Sequence, residues 1–218
     1  MRCKKFIDGF FKLFINGKKV SDDLLVPNAT CYSERDLSKL VYPLHDKLSF
    51  RIYCMKYDVT DYLLDGENTL AVMVGNGYYN QESRHAEGLV TFGTPKLCFL
   101  LEKGSGNIIS DETTLSHKGF VTFNNLYDGE RHDYSLYPQG FKLNGYSGEG
   151  FAESSVIPAP ESEFYIQTSP SDKVIRSLKP VLLKDEGKTK LYDIGENTVG
   201  YAVIKCPEKG KKIWTFVG

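Results

Sequence analysis

The sequence lacks the short motifs that mark the common catalytic and metal sites. Its five cysteines include no CxxC pair, its four histidines include no HxxxH or HExxH pair, and no GxSxG motif is present. A zinc site, a disulfide framework and a serine nucleophile elbow are therefore not predicted. Cys54, Cys98 and Cys206 lie in apolar runs typical of strands, where we expect them to be small buried side chains.

The sequence also lacks an excess of either charge and a long apolar segment. Lys and Arg number 27 against 28 for Asp and Glu, so the formal net charge is −1, and no nucleic-acid surface or acidic tail is indicated. No run approaches the roughly 20 apolar residues of a membrane span. Asp8, Gly9 and Lys12 interrupt the N-terminal apolar stretch, and no small-residue cleavage site follows, so no signal peptide is predicted. We expect a soluble, cytoplasmic protein that binds neither nucleic acid nor membrane.

What the sequence has in quantity is aromatic residues and glycine. It contains 14 Tyr, 13 Phe and 20 Gly, and 41% of its 218 residues are apolar, which suffices for the core of one large or two small domains. This composition favours short strands and turns over long helices. Turns at intervals of about 8 to 12 residues predict an all-β protein with β-sandwich architecture.

Individual segments support this prediction. Asn16-Gly17 predicts a tight hairpin between two apolar runs, although the apolar residues of the first 14 positions could also line one face of a helix. The other predicted strands share alternation or high β propensity: SFRIYCMKYDV, TLAVMV, PKLCFLLE, NIISD, FVTFNN, PVLLKDEG, TKLYDIGE and GYAVIKC. Residues 33–41, SERDLSKLV, predict one or two helical turns. Residues 137–164 show no regular spacing of apolar residues, which is typical of a linker or long connection.

The segment LAVMVGNGYYNQ, residues 70–81, joins an apolar strand to a loop that contains Gly75 and Gly77. A strand followed by Gly-x-Gly opens a dinucleotide-binding loop, but Asn80 stands where the third glycine would be and no helical pattern follows. Nucleotide binding is therefore not predicted. The glycines instead indicate a turn with positive φ.

The same loop carries the candidate sugar-binding residues Asn76, Tyr78, Tyr79 and Asn80. Tyrosine rings offer a stacking surface to the C–H face of a sugar, and planar amides match its hydroxyl groups. The alternative is that both tyrosines pack in the core beneath the turn.

The segment YDGERHDY places Asp128, Glu130 and Asp133 close together, with His132 between the last two. Carboxylates in a loop are ligands that calcium prefers, so these three residues are the candidate metal site. Glu130 and Asp133 could also form an acid and base pair. The alternative is a solvated turn, and the spacing is not that of an EF-hand.

Five strings, taken in order, resemble the N-terminal region of bacterial α-L-rhamnosidases of glycoside hydrolase family 78. They cover about residues 9–216, nearly the whole chain. They are GFFKLFINGKKVSDDLLVP, YDVTDYLLDGENTLAVMVGNGYY, PKLCFLLE, LYDGERHDY and LYDIGENTVGYAVIKC. The sequence departs from the family where Tyr78 replaces a tryptophan, Asn76 replaces an aspartate and VPNATCY replaces a tryptophan-containing string.

The resemblance implies β-sandwich domains placed ahead of a catalytic (α/α)₆ barrel that holds the acid and base glutamates. It implies a jelly-roll-like, carbohydrate-binding-module-like sandwich over residues 1–150. A linker and part of a second β-sandwich would follow over residues 151–218, with incomplete sheet edges through which copies could self-associate. Some front domains of this family bind rhamnose with a bound calcium ion. No residue of this chain inherits a catalytic role.

Two hypotheses follow from the resemblance. In the first, the chain is a non-catalytic carbohydrate-associated module that binds L-rhamnose or a rhamnose-containing glycan weakly. In the second, it is a structural domain that packs on the catalytic barrel through exposed apolar surface, for which Trp214 and Phe216 are candidates. An isolated rhamnoside hydrolase is the least favoured alternative.

Overall fold

The computed structural model describes residues 2–7, 9–30, 32, 51–81, 90–104, 106–159, 162–205 and 213, with the backbone alone for residues 2–7 and 90. The first half holds β1 (Arg2–Ile7), β2 (Phe10–Ile15), β3 (Lys18–Lys19), β4 (Arg51–Asp58), β5 (Leu70–Gly75), β6 (Asn80–Gln81), β7 (Val90–Thr91) and β8 (Leu97–Lys103). The second half holds β9 (Gly106–Ile109), β10 (Leu115–Ser116), β11 (Val121–Asn125), β12 (Gly129–His132), β13 (Ala152–Glu153), β14 (Glu163–Ile166), β15 (Val181–Asp185) and β16 (Lys190–Asp193).

Two of the sheets enclose the main core. One has the strand order β14-β4-β1-β8-β9, antiparallel except for the β14–β4 pair, and the other has the order β3-β2-β5. The buried cluster draws on both sheets and on the segments that join them: Phe11, Leu13, Ile15, Val20, Val26, Met55, Val59 and Leu101. Because the core lies between two sheets, the prediction of an all-β fold with a β-sandwich is confirmed.

Strand β2 shows why the sequence folds in this way. Phe11, Leu13 and Ile15 are buried, whereas Lys12 between them is exposed, as the period of two requires of a strand with one face on a core. Asn16 and Gly17 then turn the chain with φ of 50° and 83°, the two positive values that a type I′ turn needs. The predicted hairpin is confirmed, with Phe14 opposite Lys19.

Two single-turn 3₁₀ helices occur in the described residues, Thr60–Tyr62 and Tyr134–Leu136. The carboxylate of Asp58 accepts from the backbone N–H of Thr60 at 3.1 Å. Asp133 plays the same part for the second turn, because its carboxylate accepts from the N–H of Ser135 at 3.0 Å and from its hydroxyl at 2.6 Å. Short Asp side chains therefore stabilise both turns.

Other sequence-based expectations have mixed outcomes. The strands predicted at SFRIYCMKYDV and in the PKLCFLLE–NIISD hairpin are confirmed by β4, β8 and β9. The predicted burial of Cys98 is wrong, since its side chain is exposed on β8, while Cys54 is half-buried. Residues 201–205 contain no strand. The predicted helical turns at 33–41, Cys206, Trp214 and Phe216 lie outside the described residues.

The chain divides into two compact units, Met1–Lys173 and Val174–Gly218. Strands β13 and β14, which follow residue 150, belong to the first unit, and β14 is an edge strand of its larger sheet. The second unit contains the antiparallel β15–β16 pair, whose residues are all exposed. No helix among the described residues is long and apolar enough to cross a membrane.

Candidate functional site

The predicted sugar loop, residues 76–81, lies against the β11–β12 hairpin. The backbone N–H of Asn76 donates to the side-chain oxygen of Asn124 at 3.0 Å, and the Asn76 amide donates to the Asn124 carbonyl at 2.7 Å. Gln81, which is 1% exposed, accepts from the N–H of Leu126 at 3.1 Å through its side-chain oxygen. The two candidate sites that are about 50 residues apart in sequence therefore share one set of hydrogen bonds.

The glycines of this loop permit a close backbone approach. Gly77 has a φ of +52°, and a Cβ placed on it would lie 2.9 Å from the backbone nitrogen of Phe10 and 3.1 Å from Gly9. Gly9 in turn has a φ of +114°, and a Cβ at this position would collide with the carbonyl oxygen of Gly75. The loop is thus seated directly on the start of β2, where no side chain fits.

Asn124, Glu130 and His132 continue the hydrogen bonds from the loop along the hairpin. Asn124 and Glu130 are direct partners in the β11–β12 register, and the Asn124 amide donates to one Glu130 oxygen at 2.5 Å. Since Glu130 and His132 are two residues apart on one strand, their side chains share a face. His132 Nε2 lies 2.7 Å from the other Glu130 oxygen.

The two tyrosines of the loop have different environments. Tyr79 is 6% exposed, its ring packs edge-on against Tyr32 at 5.2 Å, and its hydroxyl accepts from the Lys96 ammonium at 3.2 Å. Tyr78 is 42% exposed and packs edge-on against Phe10 at 5.9 Å. Tyr79 is therefore a packing residue, and Tyr78 is the ring of this loop that a ligand can reach.

The polar residues of the loop are also occupied. The Asn80 amide donates to the side-chain oxygen of Asn76 at 3.3 Å, and the Asn80 oxygen accepts from the hydroxyl of Thr91 at 2.6 Å. Gln81 donates to the carbonyl of Gly77. These contacts hold the loop in one conformation, and a sugar would have to share the amides with them.

A group of rings lies at the far end of β12. Phe120 is 9% exposed, and its centroid is 5.1 Å from Tyr134, 5.4 Å from His132 and 5.0 Å from Tyr137. Tyr134 is inclined by 30° to Phe120 and is 64% exposed. The carboxylate–imidazole pair of Glu130 and His132 therefore stands beside an exposed ring.

Two of the three carboxylates predicted to hold calcium make internal contacts. Asp133 caps the 3₁₀ turn through its contacts with Ser135. One Glu130 oxygen accepts from the Asn124 amide, and the other faces His132 Nε2. Within the part of the chain that the structure describes, no three His, Cys, Asp or Glu side chains lie close enough to hold a metal ion. Calcium binding at Asp128, Glu130 and Asp133 stays a prediction.

Sequence reasoning missed the residues that join the two candidate sites. Asn124, Asn125 and Gln81 hold the loop and the hairpin turn together, and the buried Asn125 accepts from the N–H groups of Tyr127 and Asp128 at 2.8 and 3.1 Å. The signal was present in the polar Asn124-Asn125 pair two residues before Asp128-Gly129, since such side chains commonly bond to nearby backbone.

Comparison with known proteins supplies the family. The sequence model of the family described as the α-L-rhamnosidase N-terminal domain matches residues 8–176. An α-L-rhamnosidase of Formosa agariphila is 27% identical over 92% of this chain, and one of Alteromonas sp. is 25% identical over 94% of it. The chain spans 21% and 22% of the length of these two relatives.

Solved structures agree with the sequence relatives. The α-L-rhamnosidase from Dictyoglumus thermophilum superposes with a TM-score of 0.71 and 27% identity, over 90% of this chain and 20% of that one. The enzyme from Aspergillus terreus superposes with a TM-score of 0.70 and 22% identity, over 90% of this chain and 22% of that one, and shows the shared fold. With a family match over most of its length and the same β-sandwich, this chain belongs to the α-L-rhamnosidase N-terminal domain family of glycoside hydrolases.

Proposed function

We propose that this chain is a non-catalytic, carbohydrate-associated module of an α-L-rhamnosidase-like glycoside hydrolase, and that it binds L-rhamnose or a rhamnose-containing glycan weakly. Membership of the family supports the proposal that the larger protein is an α-L-rhamnosidase-like hydrolase. The observation that carries the binding proposal is the surface formed by the exposed Tyr78 ring and the adjoining Asn76–Asn124 contacts. A sugar ring needs this combination of an apolar face and planar polar groups.

The geometry also supports weak affinity. Tyr78 offers one ring, Tyr79 is buried beneath it, and the amides of Asn76 and Asn80 already make internal hydrogen bonds. A neutral hydrogen bond contributes only about 1 kcal/mol net. We therefore propose dissociation constants in the millimolar range, about −4 kcal/mol.

The absence of catalysis in this chain is part of the proposal. Glycoside hydrolysis generally uses two carboxyl groups on either side of the scissile bond, roughly 5 to 9.5 Å apart. Around the loop, Glu130 is engaged by Asn124 and His132, and Asp133 is engaged by Ser135. These internal contacts support a structural role for both carboxylates.

An NMR titration tests the proposal. The amide signals of the uniformly ¹⁵N-labelled chain are followed during addition of L-rhamnose, with and without calcium chloride, and D-glucose serves as the control sugar. We expect saturable shifts with L-rhamnose and no turnover of an aryl rhamnoside. Absence of any saturable shift up to high millimolar sugar contradicts binding, and turnover that is lost in Glu130→Gln contradicts the non-catalytic role.

A second function, structural docking on the rest of a larger hydrolase, has its own supporting observation. The β15–β16 hairpin exposes large apolar side chains on both strands: Val181 at 64%, Leu182 at 46%, Leu183 at 61%, Leu191 at 56% and Tyr192 at 50%. Exposed apolar surface on this scale is usually covered by another surface. We propose that the catalytic part of the parent protein covers it.

A chimera tests the docking function. Residues 1–218 replace the matching N-terminal region of the Formosa agariphila relative, and Leu182→Lys and Leu191→Lys are compared with Lys184→Ala in the chimera and in the isolated chain. Docking requires that the two leucine variants lower the melting temperature of the chimera alone. Equal effects in both contexts contradict it.

A further inference from the structure

We propose that Tyr134, rather than Tyr78, is the principal stacking platform for the sugar, with the Glu130–His132 pair as its polar edge. The inference rests on the proposed carbohydrate-binding function and identifies a different surface for it. Tyr134 was not among the residues that the sequence singled out. It follows from the exposure, packing and hydrogen bonding of the segment that includes β12 and the 3₁₀ turn after it.

The first observation is exposure with rigid support. Tyr134 is 64% exposed, compared with 42% for Tyr78. One face of its ring rests on the buried Phe120 at 5.1 Å and 30°, which leaves the remaining surface to solvent. An exposed ring that is held from behind loses little conformational freedom when a ligand stacks on it.

The second observation is that the backbone beneath Tyr134 is fixed. Asp133 accepts two hydrogen bonds from Ser135, and the Asp133 N–H donates to the carbonyl of Phe120 at 2.8 Å. The 3₁₀ turn that carries Tyr134 is thus tied to Phe120, the residue that supplies its supporting ring and directly precedes β11.

The third observation is a pre-oriented polar edge. His132 lies 5.9 Å from the Tyr134 centroid at an interplanar angle of 77°. Its Nε2 is held by Glu130, and Glu130 is held by Asn124. Half of the Glu130 side chain and about a third of that of His132 remain accessible, so sugar hydroxyls can share their hydrogen bonds. Fixed side chains of this kind give direction to otherwise weak ring stacking.

Three variants of the full 218-residue chain, titrated with L-rhamnose by ¹⁵N NMR, test the assignment. Tyr134→Ala removes the platform, Tyr134→Phe retains the ring, and Tyr78→Ala removes the competing ring in the other loop. We expect Tyr134→Ala to weaken binding roughly three- to tenfold, Tyr78→Ala to weaken it by a smaller factor, and Tyr134→Phe to stay within about twofold of the wild type. In the wild type, the amides of residues 130–135 should shift most.

The outcomes separate this inference from the proposed function. If Tyr78→Ala weakens binding as much as or more than Tyr134→Ala, or if the wild-type shifts centre on residues 76–80, the Tyr134 platform is wrong and rhamnose binding stands. If the wild type shows no saturable shift, both are wrong. The wild-type shift map decides the question without any variant, should Tyr134→Ala perturb the fold.

Discussion

The side-chain amide of Asn124 lies 2.5 Å from the carboxylate of Glu130, directly across the β11–β12 hairpin. The same Asn124 side chain accepts from the backbone of Asn76 at 3.0 Å. One asparagine therefore satisfies groups from the loop and from the opposite strand, and its removal would leave partners of both kinds unpaired.

Asn124→Ala should lower the free energy of unfolding by about 1 to 3 kcal/mol, because the partly buried Asn76 N–H loses its acceptor. Urea unfolding followed by circular dichroism measures the change. The matched control is Asn144→Ala at an exposed turn position, for which we expect no more than about 0.5 kcal/mol. Equal effects would contradict the bridging role.

Ile15→Ala should lower the free energy of unfolding by about 2 to 5 kcal/mol, because Ile15 is 1% exposed between the sheets and its truncation leaves a cavity. Ile109→Ala removes the same atoms from a side chain that is 58% exposed. Urea midpoints of the two variants should differ clearly. Similar midpoints would mean that the sandwich core does not lie at β2.

Gly77→Ala and Gly66→Ala distinguish the free-energy cost of a positive φ from the cost of placing a Cβ against neighbouring backbone. Both positions have positive φ, but a Cβ at Gly66 meets nothing within 4 Å, whereas a Cβ at Gly77 meets Phe10 at 2.9 Å. Gly66→Ala should cost about 1 to 2 kcal/mol from conformation alone. Gly77→Ala should cost at least about 1 kcal/mol more, in the range of overpacking, and a cost equal to that of Gly66→Ala would refute the close approach.

The pH response of the β15–β16 hairpin depends on one ion pair. The Lys190 ammonium, 2.5 Å away, and the Gly187 N–H lower the pKa of Asp185 below its ordinary 3.8. Hydrogen bonding to Asp185 raises the pKa of Lys190 above its ordinary 10.5. The stabilisation by Asp185 is therefore present above the unfolded pKa and is lost as pH falls through the lowered one. That by Lys190 is present below 10.5 and is lost as pH rises through the raised value.

An NMR pH titration of the Asp185 carboxyl carbon measures this effect. Lys190→Ala should move the pKa of Asp185 upward toward 3.8. Lys188→Ala removes an equal charge from the same hairpin turn and should leave most of the lowering in place. A carboxyl pKa that is unchanged in Lys190→Ala would show that the pair does not form.

Self-association through open sheet edges remains a proposal, and the β15–β16 hairpin is the surface on which it can be tested. Its apolar side chains are exposed, and a two-stranded sheet offers two unpaired edges. Sedimentation velocity should show a concentration-dependent increase in mass for the wild type that Leu182→Lys reduces. A monomer at all concentrations would rule out association through this hairpin.

Local patterns predicted much of the sandwich. Alternation located β2 and β4, a continuous apolar run located β8, and Asn16-Gly17 located a turn with two positive φ values. These features depend on neighbours within a few residues, and the sequence displays them directly. The exposure of Cys98 on β8 was not predictable in the same way, because an apolar strand does not reveal which of its faces another layer covers.

The candidate site was harder to predict because its contacts are distant in sequence. Tyr78 and Tyr79 are adjacent and chemically identical, yet one is exposed and the other buried. Which of the two rings faces the core depends on the backbone direction of the loop that follows β5. Asn76 was chosen for its amide, but its partner Asn124 is 48 residues away, and no local pattern connects the two.

Gly75-x-Gly77 raised the question of a phosphate-binding loop, and the contacts of Gly77 give that question a different answer. Glycine at such a position reports a positive φ, a group too near for a Cβ, or both, and Gly77 shows both. In a nucleotide site the near group is a pyrophosphate; here it is the peptide backbone of Gly9 and Phe10. The motif thus indicates a close approach but does not say which group approaches. Only the identity of that group distinguishes a ligand-binding loop from a contact between two backbone segments of the same chain.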